Sequence, residues 1–100
     1  MSQHVMEIVG FRPMPGVVPA DLVEAAREAE TWLKAQPGFV ERRLGRSDDQ
    51  TWFDWVEWTD IACAKAAADQ IMDIPATAAF FSMIDMSTVD MRHCVIELAI

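Results

Sequence analysis

The spacing of apolar and polar residues divides the first third of the chain into a strand and a helix. Residues 4–12 (HVMEIVGFR) mix β-branched and apolar side chains, and the proline- and glycine-containing residues 13–16 follow them, which predicts a strand and then a loop. From Pro19 onwards apolar residues recur at steps of three and four, with charged residues on the other face. We therefore expect an amphipathic helix that ends at residues 36–38 (QPG).

The remainder of the chain predicts two strands, a helix, a shorter helical segment and a last strand. Residues 39–46 (FVERRLGR) and 51–59 (TWFDWVEWT) are separated by a short polar link, which is typical of an antiparallel hairpin. Thr59 or Asp60 is expected to cap a second helix that runs to a break at residues 74–75 (IP). The final elements, one or two helical turns and a long strand, are predicted at residues 76–84 and 86–98.

This order of elements predicts a ferredoxin-like βαββαβ fold of the α+β class, formed by residues 1–100 as a single domain. A four-stranded antiparallel sheet is expected, with the first and third strands central and both helices on one face. The third strand is apolar on both faces, since it carries Trp52, Phe53, Trp55, Val56 and Trp58. We expect a second copy to cover the bare face, so that two sheets close a barrel in a homodimer.

Composition and charge narrow the classes of function. Hydrophobic residues make up 52% of the 100 residues, which excludes a disordered chain and favours a partner subunit or an apolar cavity. The net charge of −8 argues against nucleic acid as a partner, because a phosphate backbone would be repelled. No apolar run is long enough to span a membrane, and the first residues lack the pattern of a signal peptide. The expected location is the cytoplasm, with Cys63 and Cys94 as buried thiols.

The element order, residues 36–39 (QPGF), residues 55–60 (WVEWTD) and the phenylalanines Phe80 and Phe81 before a long last strand resemble the dimeric α+β barrel superfamily. Within it, the chain is most similar to the antibiotic biosynthesis monooxygenase group, and the resemblance covers nearly the whole chain. It implies a cofactor-independent monooxygenase acting on a small aromatic molecule such as a phenol, a hydroquinone or a polyketide. Haem-degrading members and aromatic polyketide oxygenases use an asparagine, and this chain contains neither Asn nor Tyr. Neither set of functional residues is therefore present in full in this chain, and no cofactor is expected.

Alternation along each strand assigns candidate residues to the barrel lumen. We assign the more polar set of each strand to the lumen, because the side that faces the helices has to be dry. The opposite set, which includes Met6, Ile8, Val56 and Trp58, is expected to pack on the helices. The lumen set is Val5, Glu7, Val9, Phe11, Glu41, Arg43, Phe53, Trp55, Glu57, Val89, Met91, His93 and Val95.

Within that lumen, His93 is the candidate general base and Glu7 its orienting partner, with Glu57 on the neighbouring strand. Such a base could deprotonate a phenol, whose anion passes an electron to dioxygen. The alternative is that His93 is a structural residue and that the carboxylates face solvent at strand ends. His93, Glu7 and Glu57 would also suit a divalent metal, but no metal-ligand spacing is present, so none is expected. The expected substrate-binding residues are Trp55, Phe53, Glu57, Met91, Phe80 and Phe81.

A rival function is a non-catalytic small-molecule-binding or stress-associated homodimer. A pocket of roughly 300 Å³ or more that is reached from solvent and bordered by His93 would favour the enzyme, whereas a lumen filled with Trp and Met would favour the rival. Three arginines, Arg42, Arg43 and Arg46, lie on the second strand, where charge discourages stray pairing at a sheet edge. Arg43 as a ligand for an acidic molecule is the alternative interpretation of that group.

Overall fold

The secondary structure follows the predicted order. The computed structural model describes residues 3–100. Its elements are β1 (Val5–Pro13), α1 (Pro19–Arg27), α2 (Glu30–Lys34), β2 (Phe39–Arg46), β3 (Trp52–Trp58), α3 (Ile61–Ile71), a 3₁₀ helix (Pro75–Thr77), α4 (Ala78–Ser82) and β4 (Ile84–Val95).

The four strands form one antiparallel sheet in the order β2-β3-β1-β4. The first and third strands are therefore central and the other two are edges, as the sequence predicts. The α+β ferredoxin-like fold class is confirmed. In the part of the chain that the structure describes, no helix is both long enough and apolar enough to cross a membrane.

The first predicted helix is two helices. The backbone N–H groups of Glu28 and Ala29 bond to carbonyls three residues earlier, Ala25 and Ala26, which tightens the chain into a turn between α1 and α2. α2 restarts regular helical bonding, with the N–H of Leu33 donating to the carbonyl of Ala29. The turn lets the two helices pack on different parts of the sheet.

Two clusters of buried side chains form the core between the sheet and the helices. In the first, Leu22 of α1 packs with Phe11, Trp52 and Phe80. The second joins α2 and α3 to the other end of β3 and contains Ala29, Leu33, Val56, Trp58, Ala64 and Ala67. The predicted packing of Val56 and Trp58 on the helices is confirmed.

The register corrects the predicted face of β1 and β4. Glu7 lies opposite Val56 of β3 and opposite His93 of β4. Directly opposite residues share a sheet face, and Val56 is buried under the helices. Glu7 and His93 therefore lie on the helix face, while Met6 and Ile8, expected against the helices, lie on the open face.

The same register confirms the predicted face of β2 and β3. Trp55 lies opposite Ile8 and Arg43, and Glu57 lies opposite Met6 and Glu41, all on the open face. The criterion that the drier set faces the helices thus succeeds for two strands and fails for two. It fails because polar groups on the helix face are paired with one another, as described below.

The cysteines differ from the expectation of two buried thiols. Both are free, Cys63 is half-buried, and Cys94 is exposed on the open face of β4. Cys94 lies opposite Met6, so the shift in face that moves His93 under the helices moves Cys94 out.

Candidate functional site

A cavity of about 240 Å³ lies between the sheet and the helices. Met72 and Met86 line it and are exposed to solvent, which places its mouth beside them. Its walls are mainly apolar, and they include Val9, Phe11, Leu33, Val56, Ile71, Phe80, Phe81 and Met91. The cavity is therefore suited to a small apolar or aromatic molecule, and its volume is below the ~300 Å³ that marks typical ligand pockets.

A carboxylate and an imidazole form a hydrogen-bonded pair at the sheet wall. Glu7 lines the cavity, and its Oε2 lies 2.7 Å from His93 Nε2, which donates to it. Only 12% of the Glu7 side chain and 17% of the His93 side chain are exposed. Burial raises the pKa of Glu7, and nearby Asp54 adds to the rise, whereas the hydrogen bond and charge of His93 lower it. The net rise makes Glu7 a better proton acceptor than an ordinary glutamate.

A second polar pair, Arg42 and Asp54, lines the same cavity. Arg42 donates from Nε and Nη2 to the two carboxylate oxygens of Asp54, at 2.9 and 2.7 Å, and from Nη1 to the carbonyl of Ala26 at 2.7 Å. Its guanidinium lies 5.5 Å from the centre of the Phe80 ring. This bidentate arrangement neutralises the carboxylate of Asp54, a residue that is 7% exposed. Asp54 lies two positions along β3 from Val56, the residue opposite Glu7.

Trp58 lines this cavity and carries an unpaired donor. The residue is 1% exposed, and its Nε1–H has no hydrogen-bond partner among residues 3–100. Buried indole N–H groups usually have a partner, because leaving one unpaired costs free energy. The Nε1 atom is itself buried, so a molecule in the cavity would reach this donor only if the indole turned toward the cavity. Trp58 is diagonal to Glu7 across β1 and β3, a separation of ~7 Å between their positions on the sheet.

The structure brings together some of the predicted site residues and separates others. Glu7, Met91, Phe80 and Phe81 line the cavity. His93 reaches the site through Glu7 and is not one of the residues that line the cavity. This reverses the expected arrangement, in which His93 faces the substrate and Glu7 stands behind it.

Phe53, Trp55 and Glu57 lie on the other face of the sheet, so the single lumen that the sequence predicted is wrong. Glu57 accepts a hydrogen bond from His4 Nδ1 at 2.7 Å on that face. The imagined metal triad is divided by the sheet, since Glu57 points away from Glu7 and His93. Among the described residues no three His, Cys, Asp or Glu side chains are grouped as metal ligands.

The open face instead carries an aromatic platform. The rings of Phe53 and Trp55 are stacked, with centroids 5.8 Å apart and 24° between their planes. Each lies over a glycine of a neighbouring strand, because a Cβ at Gly10 would meet Phe53 at 3.1 Å and one at Gly45 would meet Trp55 at 3.0 Å. A larger residue at either glycine would crowd the ring that lies over it.

Sequence reasoning missed the roles of Trp58, Asp54 and Arg42 in the cavity. Asp54 offered a signal, since it interrupts the otherwise apolar alternation of Trp52, Val56 and Trp58. A carboxylate in such a set requires a cation, and the arginines of the paired strand supply one.

No protein-family model matches the chain, and a search of curated protein sequences returns no match either. Several solved protein structures are similar to the structure of this chain. The cofactor-independent oxygenase SnoaB from Streptomyces nogalater has a TM-score of 0.78 and 20% identity, over 99% of this chain and 98% of SnoaB. A protein from Bordetella bronchiseptica, provisionally described as an antibiotic biosynthesis monooxygenase, has a TM-score of 0.74 and 17% identity, over 97% of this chain and 100% of that one.

The chain shares their fold. A dimeric ferredoxin-like protein of unknown function from Jannaschia sp. CCS1 shares it too, with a TM-score of 0.71 and 15% identity over 93% of this chain and 99% of that one. The resemblance to antibiotic biosynthesis monooxygenases is thus confirmed for the fold. A fold hosts many chemistries, so function has to be argued from the cavity.

Proposed function

We propose that the protein is a cofactor-independent monooxygenase that acts on a small aromatic molecule. The substrate carries either a C–H group that a carbonyl makes acidic or the O–H group of a phenol. The observation that carries the proposal is the Glu7 carboxylate, hydrogen-bonded to His93 and placed in the wall of an apolar cavity. The oxygenase activity of SnoaB, which has this fold, adds support.

Glu7 is the proposed general base, because it is the member of the pair that lines the cavity. Its raised pKa brings it closer to the working range of a base at neutral pH. His93 donates its Nε2–H to the carboxylate and so fixes the orientation of Glu7 in the cavity wall. The assignment exchanges the roles that sequence alone gave to these two residues.

The proposed reaction balances with dioxygen as the only co-reactant. Glu7 takes a proton from the substrate, and the resulting anion passes one electron to O₂, giving a substrate radical and superoxide. These combine to form a C–O bond, and return of the proton gives a hydroperoxide. Loss of water from the hydroperoxide, with removal of the second hydrogen on that carbon, leaves a carbonyl. One oxygen atom enters the product and the other leaves as water.

Trp58 is the proposed donor to the oxygen on which the negative charge develops. Its unpaired N–H lies on the same sheet face as Glu7. A donor fixed in a dry site stabilises such a charge more than water does.

Oxygen uptake with a panel of hydroquinones and anthrones tests the proposal. Glu7→Gln keeps the shape and a hydrogen bond to His93 but cannot accept the proton, so we expect uptake to fall by ~10²–10⁴-fold. Glu57→Gln alters the equivalent carboxylate and imidazole pair on the open face and identifies which face carries the chemistry. Loss of uptake in Glu57→Gln with full uptake in Glu7→Gln would refute the assignment of the site to the cavity. Glu24→Gln, an exposed carboxylate of α1, controls for removal of charge.

A binding module without catalysis is the second candidate, and the cavity volume of about 240 Å³ favours it. If compounds of the same aromatic panel raise the melting temperature and none of them supports oxygen uptake, the binding module is supported and the oxygenase proposal is excluded. Two free thiols are in keeping with a cytoplasmic protein in either case.

The proposal includes a homodimer formed through the open sheet face. Met6, Ile8, Phe53 and Trp55 form its apolar centre, with charged residues on the two edge strands, which is the usual anatomy of an interface. Light scattering at micromolar concentration should give twice the chain mass of 11.2 kDa. Trp55→Glu should dissociate the dimer, because it buries an unpaired carboxylate. A wild-type monomer, or a Trp55→Glu dimer, would contradict this interface.

A further inference from the structure

Three exposed methionines line the cavity between the sheet and the helices. Met72, directly after α3, is 57% exposed, and Met86 and Met91 of β4 are each 49% exposed, yet all three line the cavity. We call them the rim methionines. The other exposed methionine among residues 3–100, Met14, is 44% exposed and is not part of the cavity lining. Contact with solvent and contact with the cavity thus coincide at three thioether side chains.

The chemistry open to an exposed thioether is oxidation by a peroxide. One oxygen atom passes from the peroxide to the sulfur, so that an S–O bond forms and the O–O bond breaks. The sulfur loses two electrons and the peroxide gains them, leaving as water or, from an organic hydroperoxide, as an alcohol. The reaction needs contact between the peroxide and the sulfur, and the exposure of the rim methionines allows that contact.

A sulfoxide at the rim would change the polarity of the cavity mouth. The thioether is a flexible apolar group, whereas the sulfoxide is polar and needs a hydrogen-bond donor or water. Ala68 and Ile71 beside Met72, and Val89 between the two methionines of β4, line the cavity and carry no side-chain donor. An apolar ligand at the mouth would therefore separate the sulfoxide from water without giving it a partner, which costs free energy.

We propose that Met72, Met86 and Met91 are an oxidation site for peroxides, and that their conversion to sulfoxides lowers the affinity of the cavity for apolar molecules. The proposal rests on the cavity as a site for an apolar molecule, which the oxygenase and the binding module share. It does not rest on oxygen uptake.

Peptide mass spectrometry after treatment with hydrogen peroxide tests the first half of the proposal. The rim methionines should form sulfoxides about as fast as Met14, because the four side chains are similarly exposed. The half-buried Met83 should react several-fold more slowly. Rim methionines that react as slowly as Met83 would overturn the proposal.

Calorimetric titration with 2-naphthol, a small neutral aromatic molecule, tests the second half. It is done without oxygen, so that no turnover takes place. Oxidised protein should bind 2-naphthol ~10-fold or more weakly than untreated protein. Methionine sulfoxide reductases A and B should restore the affinity, whereas dithiothreitol alone, which reverses disulfides and sulfenic acids at Cys63 and Cys94, should not. Equal affinity before and after oxidation, or no binding before it, would overturn the proposal.

Matched variants assign the effect to the rim. The triple variant Met72→Leu, Met86→Leu and Met91→Leu keeps an apolar mouth of similar volume without oxidisable sulfur, so its affinity should survive peroxide. Met14→Leu should lose affinity as the wild type does. A triple variant that loses affinity on oxidation would refute the role of the rim methionines.

A second pair of variants keeps the test valid if the triple variant does not fold or bind. Met86→Gln places a polar side chain of similar length at the rim and should weaken 2-naphthol binding without any peroxide. Met14→Gln should leave it unchanged, and equal affinities of these two variants would contradict the proposal. A protein that binds 2-naphthol, loses it on oxidation and shows no oxygen uptake would support this inference and exclude the oxygenase. Oxygen uptake together with unchanged binding after oxidation would do the opposite.

Discussion

Replacing Arg42 should destabilise the protein far more than replacing its neighbour Arg43. Arg42 is 16% exposed and makes two hydrogen bonds to Asp54 and one to a carbonyl of α1. Arg43, the next residue, points to the open face, where it is 76% exposed and lies 3.5 Å from Glu41. The two arginines therefore compare a buried pair with an exposed one on the same strand.

The magnitude follows from what Arg42→Ala leaves behind. The Asp54 side chain, which is 10% exposed, would lose both of its charged hydrogen bonds, and its carboxylate would remain buried without a cation. Breaking a buried ion pair by removing one partner costs ~3–5 kcal/mol. Arg43→Ala should cost ~0–1 kcal/mol, because an exposed pair is solvated in either state. Arg42→Lys keeps the charge but not the bidentate geometry, so it should fall between the two.

Urea unfolding followed by tryptophan fluorescence measures these differences at constant m-value. A double-mutant cycle of Arg42→Ala with Asp54→Ala should give a coupling energy above ~1 kcal/mol. The reasoning is refuted if Arg42→Ala destabilises the protein no more than Arg43→Ala, or if the cycle gives no coupling. Either result would mean that the pair is solvated and that the cavity wall is not as described.

Two further changes have defined outcomes. The pKa of Glu7 is raised from 4.5 in the folded protein, so its contribution to the free energy of unfolding is complete below about pH 4.5 and is lost as pH rises through the folded pKa. Glu7→Gln should therefore become more stable relative to wild type as pH rises in urea titrations from pH 4 to 8, and a constant difference would contradict the direction of the shift. Gly38 has φ of +80°, and a Cβ there would lie 2.7 Å from Cys63, whereas Gly16 has φ of +86° and open space. Each of Gly38→Ala and Gly16→Ala should cost ~1–3 kcal/mol through backbone strain. Gly38→Ala should lower thermal stability by more, because only its Cβ collides with Cys63. Equal losses of thermal stability in the two variants would exclude the collision.

Local patterns in the sequence determined the elements and their order. The predicted bounds of β2, residues 39–46, match the structure, and β3 differs by one residue at each end. β3 is well predicted because consecutive aromatic and β-branched residues follow a short polar link. The strand order also followed from the sequence, since the handedness of the crossovers leaves few arrangements. The division of the first helix did not follow, because no proline or glycine marks it.

The candidate site depended on contacts between distant residues. Sequence named Glu7, Met91, Phe80 and Phe81, which do line one cavity, but it placed Trp55 with them on the wrong side of the sheet. Alternation divides each strand into two faces without saying which face the helices cover.

The sequence predicted that Glu7 and His93, 86 residues apart, form a pair, but only the tertiary structure placed their hydrogen bond under the helices. The pairing of Arg42 with Asp54 was decided by the tertiary structure alone. A polar side chain is excluded from a dry face only while it is unpaired, and its partner comes from another strand. The sequence by itself therefore determined the strands, the helices and their order. The face that each strand presents to the cavity was decided by the tertiary structure, because it depends on which polar side chains form hydrogen bonds with groups on neighbouring strands.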